Sequence, residues 1–223
     1  MSNTIQIFGH PISQPTRSLI SFCNLSSIPY TFQEIDIRNF EFLSPEFTKL
    51  NPFQTIPTIV HNDFTLWESA AIIMYLAETF GVDNQWYPKD LKIRARINSY
   101  LHWHHEGTRV PLHGYIRPKF TLPKYYAGPE LSNEAEVPLK IKFEGFFETL
   151  KWMIDGTGFV AKTQEASIAD IFVYSEVAQS WFVHYDLQKF KVVKEWFDNI
   201  GSIKEVSQAH EGLAKVVNEF NAL

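Results

Sequence analysis

The chain has 223 residues, 45% hydrophobic and 15% aromatic, so it can bury a sizeable core and lies outside the disordered class of proteins. Its formal net charge is −5 and its 20 basic residues are scattered, which argues against nucleic acid or an anionic membrane as a partner. The single cysteine, Cys23, excludes an intramolecular disulfide, and the lack of a signal pattern or an apolar run of ~18 residues predicts a cytoplasmic protein.

The first 80 residues alternate between strand and helix patterns. Four β-rich runs predict strands at residues 4–8, 30–37, 58–60 and 64–66. Three helices are predicted: one opened by Ser13, one capped by Ser44, and one over residues 68–80. The order βαβ-α-ββα predicts a mixed sheet with helices on its faces, and therefore an α/β domain over residues 1–80.

The pattern becomes helical after a polar linker at residues 81–88. Helical spacing predicts helices at residues 90–116, 134–154, 168–182, 189–200 and 203–220. Ser167 and Asp170 form a capping-box pattern at the start of the third of these. Residues 89–223 are therefore predicted to form an all-α domain.

The most informative stretch is the loop that runs from Asn51–Pro52 to Ile56–Pro57. A proline just before a strand can adopt the cis form, which would turn the backbone amide and carbonyl of Ile56 outward. The helix start at Glu68–Ser69 leaves backbone N–H groups facing the same cleft. A site of this kind suits an extended, anionic, peptide-like ligand.

With these motifs, the chain resembles the cytosolic glutathione S-transferase family over essentially its whole length. It is most like the theta class, because of the runs at residues 13–17, 63–66, 86–91 and 103–109. The resemblance implies a thioredoxin-like N-terminal domain and a C-terminal helical bundle. It also implies a homodimer with glutathione as co-substrate and with no metal or further cofactor.

The resemblance implies that Ser13 is the catalytic residue. Relatives of the tyrosine type carry their catalytic tyrosine at the end of the first strand, where this chain has Phe8, which offers no hydroxyl. A hydroxyl at a helix start can stabilise the thiolate of glutathione. The alternative is that Ser13 only caps its helix, as many serines do.

The resemblance also implies the residues that hold glutathione. Glu68 and Ser69 would hold its γ-glutamyl end, although an ordinary helix cap is the competing interpretation. The Ile56 backbone would pair with the peptide like an added strand. The full set of expected glutathione-binding residues is Gln14, Gln54, Thr55, Ile56, Pro57, Glu68 and Ser69.

The chain departs from theta-type relatives where these carry basic residues for the glycyl carboxylate. Phe42 and Thr55 stand at those places and are uncharged, which puts tight glutathione binding in doubt; Arg38 or Gln54 could compensate. Arg109 and Tyr115 are candidates for the electrophile pocket, and for Arg109 a solvated helix position is an equal alternative.

Two functions follow from this sequence. The first is a theta-like glutathione transferase acting on small hydrophobic electrophiles such as alkyl halides or organic peroxides. The alternative is a non-catalytic, transferase-like interaction module, which the two uncharged positions favour. Ser13, Glu68 and Ser69 favour the enzyme.

Overall fold

A computed structural model describes residues 4–82 and 84–221. Residues 1–3 and 222–223, at the outer ends of the two predicted domains, and Asp83, in the predicted linker, lie outside the described residues. Among the described helices, none is long and apolar enough to cross a membrane.

The N-terminal part contains a four-stranded mixed sheet in the order β2-β1-β3-β4. Its strands are β1 (Ile5–Gly9), β2 (Tyr30–Glu34), β3 (Thr58–His61) and β4 (Phe64–Trp67). β1 pairs with β2 in parallel and with β3 antiparallel, and β3 and β4 form a hairpin. β2 is shorter than predicted, because β1 ends at Gly9, opposite Glu34, and leaves residues 35–37 no strand to pair with.

Three helices flank the sheet: α1 (Gln14–Leu25), α2 (Pro45–Leu50) and α3 (Ser69–Thr79). Leu19 and Phe22 of α1 and Ile72 of α3 are completely buried, as their helical spacing predicted. The Ser44 hydroxyl accepts a hydrogen bond from the Phe47 N–H at 3.1 Å and so caps α2. The element order agrees with the prediction, and the thioredoxin-like fold class is confirmed.

One long helical segment begins the C-terminal part. It consists of α4 (Leu91–His104), a π-helical stretch at His105–Arg109, α5 (Val110–Ile116) and a second π-helical stretch at Arg117–Tyr125. The predicted end near Ile116 was wrong, because the wider π turns carry the helix past Pro118 and Pro123. The helix therefore extends along one face of the cleft between the sheet and the helical bundle.

Four further helices complete the bundle: α6 (Asn133–Ile154), α7 (Ile168–Val177), α8 (Lys191–Gly201) and α9 (Lys204–Asn221). The buried Asp170 carboxylate joins the start of α7 to α8 and to the loop that precedes α7. It accepts from the Ser167 N–H at 2.9 Å, from the Val160 N–H at 3.0 Å and from the Trp196 indole N–H at 3.1 Å. Burial raises the pKa of Asp170.

The two parts of the chain meet along α1 and α7. The fully buried Arg17 of α1 donates to the Ser175 carbonyl of α7 at 2.7 Å and to the Pro11 carbonyl at 2.9 Å. The Gln179 side chain donates to the Ile12 carbonyl at 2.8 Å. These bonds connect the segment around Ser13 directly to the helical bundle.

Candidate functional site

A cleft of about 530 Å³ lies between the sheet part and the helical bundle. The sheet part contributes the start of α1, the loop before β3 and residues near Phe40. The bundle contributes the second half of the long helical segment together with Gln179 and Phe182. Six of the predicted site residues line this cleft: Ser13, Gln14, Gln54, Thr55, Ile56 and Arg109.

Ser13 occupies the N-cap position of α1 but does not cap it with its side chain. Its backbone is extended (φ −75°, ψ 118°), its N–H donates to the His10 carbonyl, and its carbonyl accepts from the Arg17 N–H. Its hydroxyl makes no hydrogen bond with any residue in the described ranges. The half-buried hydroxyl is therefore available to a ligand beside a helix N-terminus.

Asn51 holds the loop that ends at the Ile56–Pro57 bond. Its fully buried side-chain amide donates to the carbonyl and hydroxyl of Thr55 and to the hydroxyl of Thr58, at 3.0 to 3.1 Å. The Ile56–Pro57 peptide bond is cis, as predicted. Within the described residues the backbone N–H and carbonyl of Ile56 have no hydrogen-bond partner, so both can pair with a ligand.

A second cavity, of about 160 Å³, adjoins the cleft at Thr55, Ile56 and Arg109. It brings together the remaining predicted glutathione-binding residues, Pro57, Glu68 and Ser69. The two cavities together therefore contain every predicted glutathione-binding residue.

Glu68 and Ser69 form one wall of this second cavity. Ser69 is the first residue of α3 and is buried, and Glu68 before it has a φ of 65°, which is unusual for a residue with a side chain. Glu68 is exposed and its carboxylate lies 3.7 Å from His105 Nε2. A helix N-terminus with a neighbouring carboxylate can bind a group that carries both an acid and an amine.

Arg109 lies where the two cavities join. Its guanidinium donates to the Glu176 carboxylate at 3.0 Å, and Glu176 is 2% exposed. Burial raises the pKa of Glu176, while the charge of Arg109 opposes that shift. The interpretation of Arg109 as a solvated helix residue is therefore wrong, because its side chain is paired and lines both cavities.

A family model described as glutathione S-transferase, N-terminal domain, matches residues 5–78. Glutathione S-transferase T1 of Arabidopsis thaliana is 32% identical over 229 aligned positions, which cover 97% of this chain and 91% of that protein. The chain belongs to the glutathione S-transferase family. Mouse glutathione S-transferase theta-1 is 38% identical over 105 residues, 47% of this chain and 44% of that protein. These relatives confirm the resemblance to the theta class.

Solved transferase structures confirm the fold. The structure of human glutathione S-transferase T1-1 in its apo form superposes on this chain with a TM-score of 0.88 and 24% sequence identity. The match covers 98% of this chain and 91% of that chain. Human glutathione transferase theta-2, solved in complex with glutathione and an unknown ligand, also has a TM-score of 0.88 at 24% identity, over 98% and 90%.

Sequence reasoning missed one wall of the transferase cleft. The long helical segment and Tyr126, which directly follows it, line this wall through His113, Arg117, Thr121, Leu122 and Tyr126. Their spacing from Arg109 was a usable signal, since residues four apart share a helix face. Because prolines follow Arg117, the sequence predicted a helix end there and not this continuation of the helix.

His113 faces Gln14 across this cleft. The Gln14 side-chain nitrogen lies 3.4 Å from His113 Nδ1, and Gln14 is 4% exposed. Burial lowers the pKa of His113 to about 4, and the charges of Arg109 and Arg117 act in the same direction. His113 is therefore neutral near pH 7 and can accept the hydrogen bond from Gln14.

Tyr115, expected in the electrophile pocket, lines neither of the two cavities. Its hydroxyl donates to the Glu136 carboxylate at 2.9 Å and its ring packs on Phe143. Six residues along a helix turn a side chain about 240° away from Arg109, so Tyr115 faces α6 instead of the cleft. Phe182 lines the cleft from the 3₁₀ turn at Ala178–Val183 that follows α7.

Proposed function

We propose that this family member is a theta-like glutathione transferase that uses the Ser13 hydroxyl to stabilise the thiolate of bound glutathione. The observation that carries the proposal is that this hydroxyl faces the cleft and has no partner among the described residues. A serine whose main task is to cap a helix would accept a bond from the helix backbone, as Ser44 does.

The proposed reaction requires that the thiol pKa of bound glutathione be lower than that of free glutathione. A free thiol with a pKa near 8.5 is only about 3% thiolate at pH 7, and lowering this pKa by about 2 units corresponds to roughly 2.7 kcal/mol. A hydrogen bond from Ser13 and the N-terminus of α1 are two sources for that free energy. The thiolate would then attack a small hydrophobic electrophile.

The rest of glutathione would lie along the two joined cavities. The unpaired backbone groups of Ile56 suit an extended peptide, and Ser69 at the start of α3 suits its γ-glutamyl carboxylate. Glu68 would take the γ-glutamyl amine. Gln14, Gln54, Thr55 and Pro57 would complete the site, with no metal or further cofactor.

A non-catalytic interaction module is the second candidate function. Phe42 lines the cleft and Thr55 offers only a hydroxyl, so the two positions that relatives use for the glycyl carboxylate carry no charge. An interaction module would retain the fold without needing to bind this carboxylate.

Retention on immobilised glutathione, followed by assays with an alkyl halide and an organic peroxide, separates the two functions. A transferase is retained, eluted by free glutathione and active with at least one electrophile. A protein that is neither retained nor active is the interaction module.

We further propose that the protein is a cytoplasmic homodimer.

A further inference from the structure

The long helical segment turns one face toward the cleft along its second half. Arg109, His113 and Arg117 follow one another at four-residue intervals, and the π turns continue the same face to Thr121 and Tyr126. Because π turns occur frequently at functional sites, this wall is a natural place to look for substrate contacts.

This wall is positively charged. Two arginines line the cleft, and no Asp or Glu does so among residues 4–82 and 84–221. The whole chain has the opposite balance, with 25 acidic and 20 basic residues. Because His113 is neutral near pH 7 and Arg109 is paired with Glu176, the uncompensated charge of the wall comes from Arg117.

The two arginines differ in what they bind. Arg109 is paired with the buried carboxylate of Glu176. Arg117 is exposed, and its guanidinium forms no ion pair or hydrogen bond with any residue that the structure describes. A guanidinium presents several N–H donors in a planar fork that matches the geometry of a carboxylate.

The two groups that could compensate for the uncharged positions Phe42 and Thr55 are already engaged. The Arg38 guanidinium stacks over the Tyr125 ring at 4.5 Å and does not line the cleft. The Gln54 amide donates to the Thr48 hydroxyl at 3.0 Å. Among the described residues that line the cleft, Arg117 is therefore the one cation with no ion pair or hydrogen bond.

We propose that Arg117 binds a carboxylate that a substrate brings into the cleft, and that it thereby determines substrate specificity. This inference rests on the proposed function. The carboxylate comes from one of two sources: the glycyl end of glutathione or an acidic substituent on the electrophile.

The surroundings of Arg117 connect it to the loop that lacks basic residues. Tyr126, on the same wall, stacks on Phe40 with ring centroids 5.5 Å apart, and Phe40 contacts Phe42 at 6.0 Å. The charge of Arg117 acts on the Tyr126 hydroxyl, opposing the burial that raises the pKa of this group. Arg117 thus lies on the bundle side of the cleft, facing the loop that carries Phe42.

Equilibrium binding of three ligands tests the proposal without requiring turnover. The ligands are S-benzylglutathione, its 4-carboxybenzyl analogue, and the glycinamide of S-benzylglutathione, which lacks the glycyl carboxylate. Calorimetry compares the wild type with Arg117→Gln, Arg117→Lys and the control Arg38→Gln, which removes the same charge from outside the cleft.

We expect Arg117→Gln to weaken binding of a carboxylate-bearing ligand by about 10- to 100-fold, the usual range for one charge-assisted hydrogen bond. With the glycyl carboxylate as the source, affinity falls for S-benzylglutathione and its carboxybenzyl analogue but not for the glycinamide. With the electrophile as the source, affinity falls for the carboxybenzyl analogue alone. Arg117→Lys retains part of the affinity, since it keeps the charge and loses the planar fork.

Equal binding of all three ligands by wild type and Arg117→Gln would overturn this inference alone. A uniform loss for all three would also overturn it, because the one carboxylate that all three ligands share is the γ-glutamyl carboxylate, which is neither proposed source. The same loss in Arg38→Gln would overturn it as well, because that variant removes a charge from outside the cleft. If the wild type binds none of the ligands, the proposed function fails together with this inference.

Discussion

The Arg109 guanidinium lies 3.0 Å from the Glu176 carboxylate. Arg109 lines both cavities, and Glu176 belongs to α7, which packs against α1. The fully buried Arg17 lies near the same carboxylate, and its charge contributes to the pKa of Glu176. The buried Glu176 carboxylate is therefore the counter-charge for both Arg109 and Arg17. The second oxygen of Glu176 has no hydrogen-bond partner within the described part of the chain.

We expect Glu176→Gln to lower the free energy of unfolding by about 3 kcal/mol, because it leaves buried guanidinium charge without its counter-charge. Chemical denaturation measures this change. The control is Glu78→Gln, which breaks an exposed ion pair with Arg94 and should lower stability by less than about 1 kcal/mol. Equal effects in the two variants would contradict the role assigned to Glu176.

Buried histidines should make the protein sensitive to acid. Burial lowers the pKa of His104 to about 4, whereas an unfolded histidine titrates near 6.5. Between these pH values the unfolded chain binds more protons, so the stability falls as the pH falls from about 6.5 to about 4. The contribution of His104 reaches about 3 kcal/mol at the acid end of this window.

Thermal unfolding of His104→Gln across this pH range isolates that contribution. The variant should lose less stability than wild type between pH 7 and pH 4, after correction for its own stability at pH 7. His102→Gln, exposed on the same helix, is the control. A pH dependence identical to wild type in His104→Gln would show that His104 does not cause the acid sensitivity.

Asn51 should be essential for the loop that presents Ile56. Asn51→Asp keeps the size of the side chain but removes the N–H donors to Thr55 and Thr58. We expect a loss of about 2 to 3 kcal/mol, because buried acceptors lose their partner. Urea denaturation measures it against Asn39→Asp, which changes an exposed amide. A loss no larger than that of Asn39→Asp would rule out this role.

The dimer prediction rests on family resemblance and on exposed apolar residues of the long helical segment. Leu91, Trp103 and Val110 are 81%, 39% and 53% exposed. We expect α3 of one subunit to pack against this segment of the other, so sedimentation should give twice the chain mass of 25.9 kDa. Trp103→Glu should shift the species toward the monomer. A monomer of wild type at micromolar concentration would contradict the prediction.

The site could be predicted from sequence wherever a local motif fixes the backbone. The cis Ile56–Pro57 bond and the helix starts at Ser13 and Ser69 each depend on neighbouring residues alone. The resemblance to the family then predicted that these separate segments meet at one cleft.

The helical wall could not be predicted in the same way. Pro118 and Pro123 indicate a helix end, and only the packing of the bundle accommodates them in wider turns. Whether Arg109 is solvated or paired depends on Glu176, which lies 67 residues away. The position of Tyr115 likewise depends on its helix face, because six residues along the helix turn it away from the face of Arg109.

The thiol pKa of bound glutathione, measured by ultraviolet absorbance, tests the role of Ser13 most directly. In Ser13→Ala we expect this pKa to rise toward about 8.5 and turnover to fall roughly 10- to 1,000-fold, with glutathione affinity largely retained. Ser44→Ala, which removes a true cap, should instead lose about 1 kcal/mol of stability and leave the thiol pKa unchanged. A thiol pKa in Ser13→Ala equal to that of wild type would contradict the account and move the catalytic role to another group, with Arg109 the next candidate.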